Sequence, residues 1–110
     1  MEFSHLQRQA FAIRDLYKAS NARTGQKQWT ETEYAQALVS DASDLLKLLM
    51  AKNGFRHPVA DLDQKIEHEV SDCLWAILVT AAELGIDLEA SFAKNMEALE
   101  ARIESTDAVT

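Results

Sequence analysis

The chain has 110 residues, and its 18 Asp and Glu outnumber 11 Lys and Arg to give a net charge of −7. This balance excludes proteins that bind nucleic-acid polymers or anionic lipid, because both partners are held by clustered basic side chains. The single Cys73 excludes an internal disulfide and a cysteine-based zinc site, while three Gly and one Pro are too few for a turn-rich all-β domain. We therefore expect one all-α domain over residues 1–110.

Breaks at Gly25, at Gly54 to Pro58 and at Gly85 divide the chain into four segments of helical periodicity. The first, about residues 4–20, has Ser4 as its predicted N-cap. Its apolar stripe consists of Leu6, Ala10, Ile13 and Tyr17. The second, about residues 30–53, begins at Thr30, which has capping-box spacing to Glu33. Its stripe consists of Tyr34, Leu38, Ala42, Leu45 and Leu49.

The third segment, about residues 61–84, ends before Gly85, which suits the left-handed position that follows many helices. Its predicted stripe consists of Leu62, Ile66, Val70, Leu74 or Cys73, Ile77 and Ala81. Asp87 is the predicted N-cap of the fourth segment, whose stripe consists of Leu88, Phe92, Met96, Leu99 and Ile103. Short loops between long helices predict four antiparallel helices arranged like a bundle.

The third segment is apolar on nearly every side over residues 73–82. A helix of this kind must be covered all round, and three helices of one short chain barely suffice to cover it. We therefore expect a homodimer or homotetramer that buries this segment between subunits. The same run is too short to cross a bilayer, and the first residues lack the pattern of a signal peptide, so we expect a cytoplasmic protein without a membrane partner.

Two acidic pairs lie beside the apolar stripes. Asp41 and Asp44 share a face of the second segment, and Glu69 and Asp72 repeat the spacing on the third. If these helices pack antiparallel, four carboxylates converge, and their mutual repulsion is destabilising unless a cation neutralises them. Oxygen ligands without sulfur or paired imidazoles indicate Mg²⁺ or Mn²⁺. Acidic residues three apart are also common on solvated helix faces, so the pattern alone does not establish a metal site.

Other chemistry has weaker support. The sequence has no nucleophile motif or phosphate-binding glycine loop, and Cys73 on an apolar stripe is typical of a buried, inert thiol. The three histidines, His5, His57 and His68, lack metal-ligand spacing. A di-iron helical bundle uses a Glu-x-x-His pair on each of two helices, whereas this chain has one such pair, Glu2 and His5.

The succession Asp41-x-x-Asp44, Glu69-x-x-Asp72 resembles the acidic signature of the MazG-like, all-α nucleoside triphosphate pyrophosphohydrolases. The stretches ALVSDASDLLKLLMAKNG and KIEHEVSDCLWAILVTAAELGIDLEASFAKNMEALEAR are similar to the family's two acidic segments, with Leu-Gly-Ile-Asp-Leu as the most specific part. The resemblance covers about residues 30–103. It implies Mg²⁺-dependent hydrolysis of a nucleoside or deoxynucleoside triphosphate to the monophosphate and pyrophosphate.

The resemblance also implies roles for individual residues. Asp41, Asp44, Glu69 and Asp72 would hold the metal, with Glu69 and Asp72 as catalytic residues, and it stays open which carboxylate accepts the proton of the attacking water. Lys65, Lys47 and Arg56 are the candidate phosphate-binding residues, although Lys65 could equally form an ordinary ion pair with Glu69 and Lys47 could be solvated. Trp29 is the candidate for stacking on the base, since Trp75 lies in an apolar helix and fits a core position.

The chain departs from the family pattern at its first acidic pair. Asp41 and Asp44 stand where Glu is usual, which shortens each ligand by one methylene. An alternative is therefore a catalytically weakened relative that binds nucleotides or serves as a structural helical oligomer.

Overall fold

Each predicted break becomes a helix end in the computed structural model, which describes the backbone of residues 1–109 and the side chains of residues 1–106. The described residues form four α-helices and no strand: α1 (Phe3–Thr24), α2 (Glu31–Lys52), α3 (Leu62–Glu83) and α4 (Leu88–Val109). The all-α prediction is confirmed, and α2 and α3 lie within a residue of the ranges predicted for the acidic segments. None of the helices among these residues is long and apolar enough to span a membrane.

Two of the predicted helix-end signals around α4 act as expected. Gly85 has a φ of 69°, and the turn that it permits lets the N–H of Ile86 donate to the carbonyl of Ala81 at 2.9 Å. Asp87 then caps α4, because its Oδ1 accepts from the N–H of Ala90 at 3.2 Å. The prediction for Ser4 is wrong: α1 already begins at Phe3, and no side chain caps it.

Thr30 caps α2 through the predicted capping box. The N–H of Thr32 donates to Thr30 Oγ1 at 3.3 Å, and the N–H of Thr30 donates to Glu33 Oε2 at 3.1 Å. Lys27 Nζ lies 2.8 Å from Glu33 Oε1, and its bond together with those from Thr30 lowers the pKa of Glu33 to about 2. The start of the helix that carries Asp41 and Asp44 is thus fixed by local hydrogen bonds.

The core lies where α1 and the start of α2 meet the C-terminal half of α3. Ala10, Tyr34, Leu78 and Val79 form its buried cluster, and Trp75 packs against them. Trp75 Nε1 donates to the carbonyl of Ala10 at 3.1 Å, which ties α1 to α3. The interpretation of Trp75 as a core residue is confirmed.

Most helix packing is between α2 and α3. Helix α1 packs less extensively on α3, and α4 packs on α3 least of all. This arrangement corrects the predicted core stripe of α3. Val70, Leu74 and Ile77 are 51%, 43% and 39% exposed, whereas Ala76 and Val79 are fully buried. Because α3 is apolar on nearly every side over residues 73–82, periodicity could not indicate which side of this half its own chain covers.

We expect Thr30→Ala to lower the free energy of unfolding by about 1 kcal/mol, because α2 loses its side-chain cap. For a domain of this size, that corresponds to a fall of roughly 4–8 °C in the melting temperature, measurable by circular dichroism.

Thr24→Ala is the matched control, since Thr24 is exposed near the end of α1 and only donates to the carbonyl of Ser20 at 2.9 Å. An equal fall in both variants would show that the capping box does not stabilise α2 in particular.

Candidate metal centre

The acidic pairs of α2 and α3 meet because the two helices run antiparallel. Residues at the start of α2 share a groove with Thr80 and Leu84, whereas Asp44 and Leu48 share a cleft with Lys65 and Glu69. One carboxylate oxygen from each of Asp41, Asp44 and Glu69 lies within 4.8 Å of the others. A single cation could therefore contact ligands from both helices.

Glu69 also belongs to a second group with the remaining acidic residue. Ligand atoms of His68, Glu69 and Asp72 lie within 4.8 Å of one another, and His68 Nε2 is 3.0 Å from Asp72 Oδ2. The sequence did not indicate His68 as a ligand, because the three histidines of the chain lack metal-ligand spacing. Its (i, i+4) spacing to Asp72 was the available signal, since this spacing places two side chains together on a helix.

Glu69 is the most constrained member of the cluster. Its Oε2 is buried and has no hydrogen-bond partner among the described residues. Burial raises the pKa of Glu69, and the negative charges of Asp41, Asp44 and Asp72 raise it further. A buried, unpartnered carboxylate oxygen is costly, so this atom fits a position that requires a cation or a proton.

The pKa values of two neighbours of Glu69 are also raised. Burial raises the pKa of Asp41, and the charges of Asp72 and Asp44 add to the effect. The pKa of the Cys73 thiol is raised by burial and then by the surrounding carboxylates, which keeps it protonated. Cys73 is half-buried rather than buried, but its raised pKa fits the inert thiol that the sequence indicated. The donors of the site are therefore oxygen and imidazole nitrogen.

An open cleft of about 570 Å³ lies beside Glu69 and Asp44. Two candidate phosphate-binding residues, Lys47 and Lys65, are on its wall. Lys47 Nζ lies 3.9 Å from Asp44 Oδ1, and Lys65 forms no ion pair within the described part of the chain, so the suggested Lys65–Glu69 pair is not formed. The complete lining consists of Asp44, Lys47, Leu48, Asp61, Gln64, Lys65, His68 and Glu69.

The other two candidate substrate-binding residues lie away from this wall. Arg56 is exposed in the loop between α2 and α3 and does not line the cleft. Trp29 precedes α2 and packs edge-to-face on Tyr34, with ring centroids 5.5 Å apart. Since Tyr34 is a core residue at the start of α2, Trp29 lies beside the core rather than at the cleft.

The donor set fits a hard divalent cation. Carboxylate oxygens dominate this donor set, as hard divalent cations prefer, and His68 adds one imidazole nitrogen. Comparison of the chain with protein-family models, with curated proteins and with solved structures finds no match. The interpretation of the centre therefore depends on these residues and their geometry.

We expect Glu69→Gln to raise the melting temperature of the metal-free protein at pH 7 by roughly 2–5 °C, because it removes a charge that its neighbours repel. A raised pKa in the fold means that protonation stabilises the protein. The stability that protonated Glu69 contributes is fully present below its ordinary pKa of 4.5 and is lost as the pH rises through the raised pKa. The gain from the substitution should therefore shrink towards pH 4.5 and grow towards pH 7.

Glu67→Gln provides the control, since Glu67 is an exposed acidic residue two positions earlier on α3 and outside both groups. The measurement is thermal unfolding in the presence of a chelator across this pH range. Equal changes in the melting temperatures of the two variants would contradict the account.

Proposed function

We propose that the protein hydrolyses a nucleoside or deoxynucleoside triphosphate to the monophosphate and pyrophosphate, with Mg²⁺ and in the cytoplasm, and so removes unwanted nucleotides. The observation that carries this proposal is the meeting of carboxylates from α2 and α3 at a cleft whose wall also presents Lys47 and Lys65. Acidic residues at one end of a cleft and cations beside them suit a metal-bound polyphosphate. The resemblance of the two acidic segments to MazG-like enzymes agrees with this chemistry.

Asp41, Asp44, Glu69 and Asp72 would hold the metal in this proposal. A bound divalent ion neutralises phosphate charge, orients the triphosphate and lowers the pKa of a bound water. The unpartnered Oε2 of Glu69 supports the assignment, because it is the carboxylate oxygen that most needs a positive partner. The His68 imidazole, 3.0 Å from Asp72, would hold that carboxylate in place.

The protein groups have distinct tasks in the reaction. Water attacks the α-phosphorus, the bond from that phosphorus to the oxygen shared with the β-phosphorus breaks, and pyrophosphate leaves with this oxygen. The proton released by water passes to a carboxylate of the Glu69 and Asp72 pair.

Lys47 and Lys65 would contact the phosphate oxygens. Both flank the acidic cluster on the cleft wall, one from α2 and the other from α3. An ammonium group forms charge-assisted hydrogen bonds to phosphate, which supply binding that the negatively charged chain otherwise lacks. The net charge of −7 is thus compatible with an anionic substrate that is delivered with its metal ion.

A catalytically weakened nucleotide-binding protein is the second candidate. The side chain of Asp44 is 53% exposed, and its Oδ1 lies 3.9 Å from Lys47 Nζ, at the solvent-exposed edge of the cluster. With Asp in place of a longer Glu, the α2 half of the site could bind a metal-nucleotide complex without orienting it for hydrolysis. In either case we propose a homodimer or homotetramer as the assembled form.

We expect the wild-type protein to release pyrophosphate from at least one nucleotide in a panel of NTPs and dNTPs with Mg²⁺ or Mn²⁺. Glu69→Gln and Asp72→Asn should each reduce kcat/KM by at least about 100-fold, since each removes a proposed metal ligand.

Glu67→Gln is the control in this assay and should retain activity. Turnover that survives in both site variants would refute the site. Nucleotide binding without any turnover by the wild type would favour the second candidate.

We expect Lys47→Ala and Lys65→Ala to raise KM by about 10-fold or more with smaller changes in kcat, because each removes a charge-assisted bond worth about 1.5–3 kcal/mol. Lys94→Ala, an exposed substitution on α4, is the control and should leave both parameters unchanged. Steady-state kinetics with the preferred nucleotide measures this, and unchanged KM in the two cleft variants would remove these lysines from the substrate site.

A further inference from the structure

The cleft beside the acidic cluster has an ordered pattern of charge along α3. Five of its lining residues recur at helical spacings on one side of α3 and its N-cap: Asp61, Gln64, Lys65, His68 and Glu69. At 1.5 Å per residue, Lys65 lies about 6 Å along the helix from Glu69, and Asp61 lies about 6 Å further on. The wall therefore changes from acidic at Glu69 to basic at Lys65 and then to acidic again at Asp61.

Helix α2 gives the same order on the facing wall. Asp44 lines the cleft near Glu69, and Lys47 follows it towards the loop that joins the two helices. Because Asp61 directly precedes α3, it lies at the loop end of the cleft, beyond the lysines. It belongs to neither group of possible metal ligands. Its carboxylate is therefore a separate feature of the same cleft.

Asp61 does not act as an aspartate before a helix usually does. It is the N-cap of α3, yet its side chain accepts no hydrogen bond from the helix, whereas Thr30 and Asp87 cap α2 and α4. Asp61 has φ 54° and ψ 39°, a left-handed conformation that, apart from glycines, no other described residue adopts. A capping side chain needs extended backbone, so this conformation prevents capping. The carboxylate lines the cleft instead.

The Asp61 carboxylate also has no cation beside it. It forms no ion pair within the described part of the chain, although Lys65 is one helical turn away. An ionised carboxylate only accepts hydrogen bonds, so it favours ligand groups with O–H or N–H donors and repels phosphate. Gln64 on the same wall adds an amide without adding positive charge. The loop end of the cleft thus suits a neutral, hydroxylated part of a ligand.

We propose that Asp61 binds the sugar of the nucleotide through its vicinal hydroxyl groups and so makes the site selective for ribonucleotides over 2′-deoxyribonucleotides. This inference rests on the proposed function, because it places the metal-bound triphosphate in the same cleft. With the metal at the acidic cluster and the phosphates beside the lysines, the nucleoside extends to the loop end. The two oxygens of one carboxylate can accept from both hydroxyls of a ribose, and 2′-deoxyribose lacks one of these donors.

Isothermal titration calorimetry on the full chain with Mg²⁺ tests this proposal. The ligands are the ribo and 2′-deoxy forms of one triphosphate in which a methylene replaces the oxygen between the α- and β-phosphorus, so that neither is cleaved there. The base is the same in both, and the ratio of their Kd values therefore isolates the sugar. The wild type should bind the ribo form at least about 10-fold more tightly, because the deoxy form loses a hydrogen bond to a charged acceptor.

Two substitutions of Asp61 should remove this preference without damaging the fold. Asp61→Asn keeps the size of the side chain and tolerates a left-handed backbone, and it should reduce the ratio several-fold. Asp61→Gly removes the carboxylate and suits the positive φ, so it should bring the ratio close to one with no fall in the melting temperature.

Asp63→Asn is the matched control, because it removes the same charge from an exposed aspartate two positions later. Asp63 Oδ1 lies 3.1 Å from Lys52 Nζ, and Asp63 does not line the cleft. This variant should keep the wild-type ratio.

Equal binding of the two forms by the wild type would overturn the proposal. So would a ribo preference that persists in both Asp61 variants, even where the two affinities change together, because a common change would place the base or a phosphate at Asp61. Preferential binding of the ribo form without release of pyrophosphate from any nucleotide would refute the hydrolysis and leave this inference standing. Binding of neither form would overturn both.

Discussion

The packing of α2 against α3 holds Asp41, Asp44 and Glu69 within 4.8 Å of one another, and like charges at such distances repel. The same packing buries Glu69 Oε2, which has no hydrogen-bond partner in the part of the chain that the structure describes. Burial and neighbouring carboxylates raise the pKa of both Asp41 and Glu69. A divalent cation would relieve all of these effects at once, which is the reason for proposing that the cluster binds a metal ion.

The sides of the α2–α3 pair differ in character, and α1 packs against the pair more than α4 does. The core around Val79 and Tyr34 joins α1 to this pair at one end, at some distance from the carboxylates. Lys47 and Lys65 border the acidic cluster, and exposed apolar side chains such as Val39, Leu46 and Leu74 lie elsewhere on the same two helices.

Local chemistry made much of this predictable from the sequence. The capping box at Thr30, the turn at Gly85 and the cap at Asp87 depend on neighbouring residues, so the pattern alone located them. The choice of packing surface was harder to predict. The buried side of the C-terminal half of α3 could not be chosen by periodicity, because residues 73–82 are apolar on nearly every side. The position of Trp29 beside Tyr34 depends on tertiary contacts that no local pattern contains. The meeting of the acidic pairs followed once antiparallel packing was assumed, and that assumption is correct.

The central claim is that α2 and α3 together bind one divalent cation through their carboxylates. A crystal structure with Mn²⁺, with the ion located by its anomalous scattering, tests this most directly. The account predicts a peak within about 2.3 Å of a Glu69 oxygen and of at least one oxygen of Asp41 or Asp44, with Asp72 or His68 as a further ligand. Mn²⁺ that is bound by one helix alone, or absent from the cluster at saturating concentration, would contradict it.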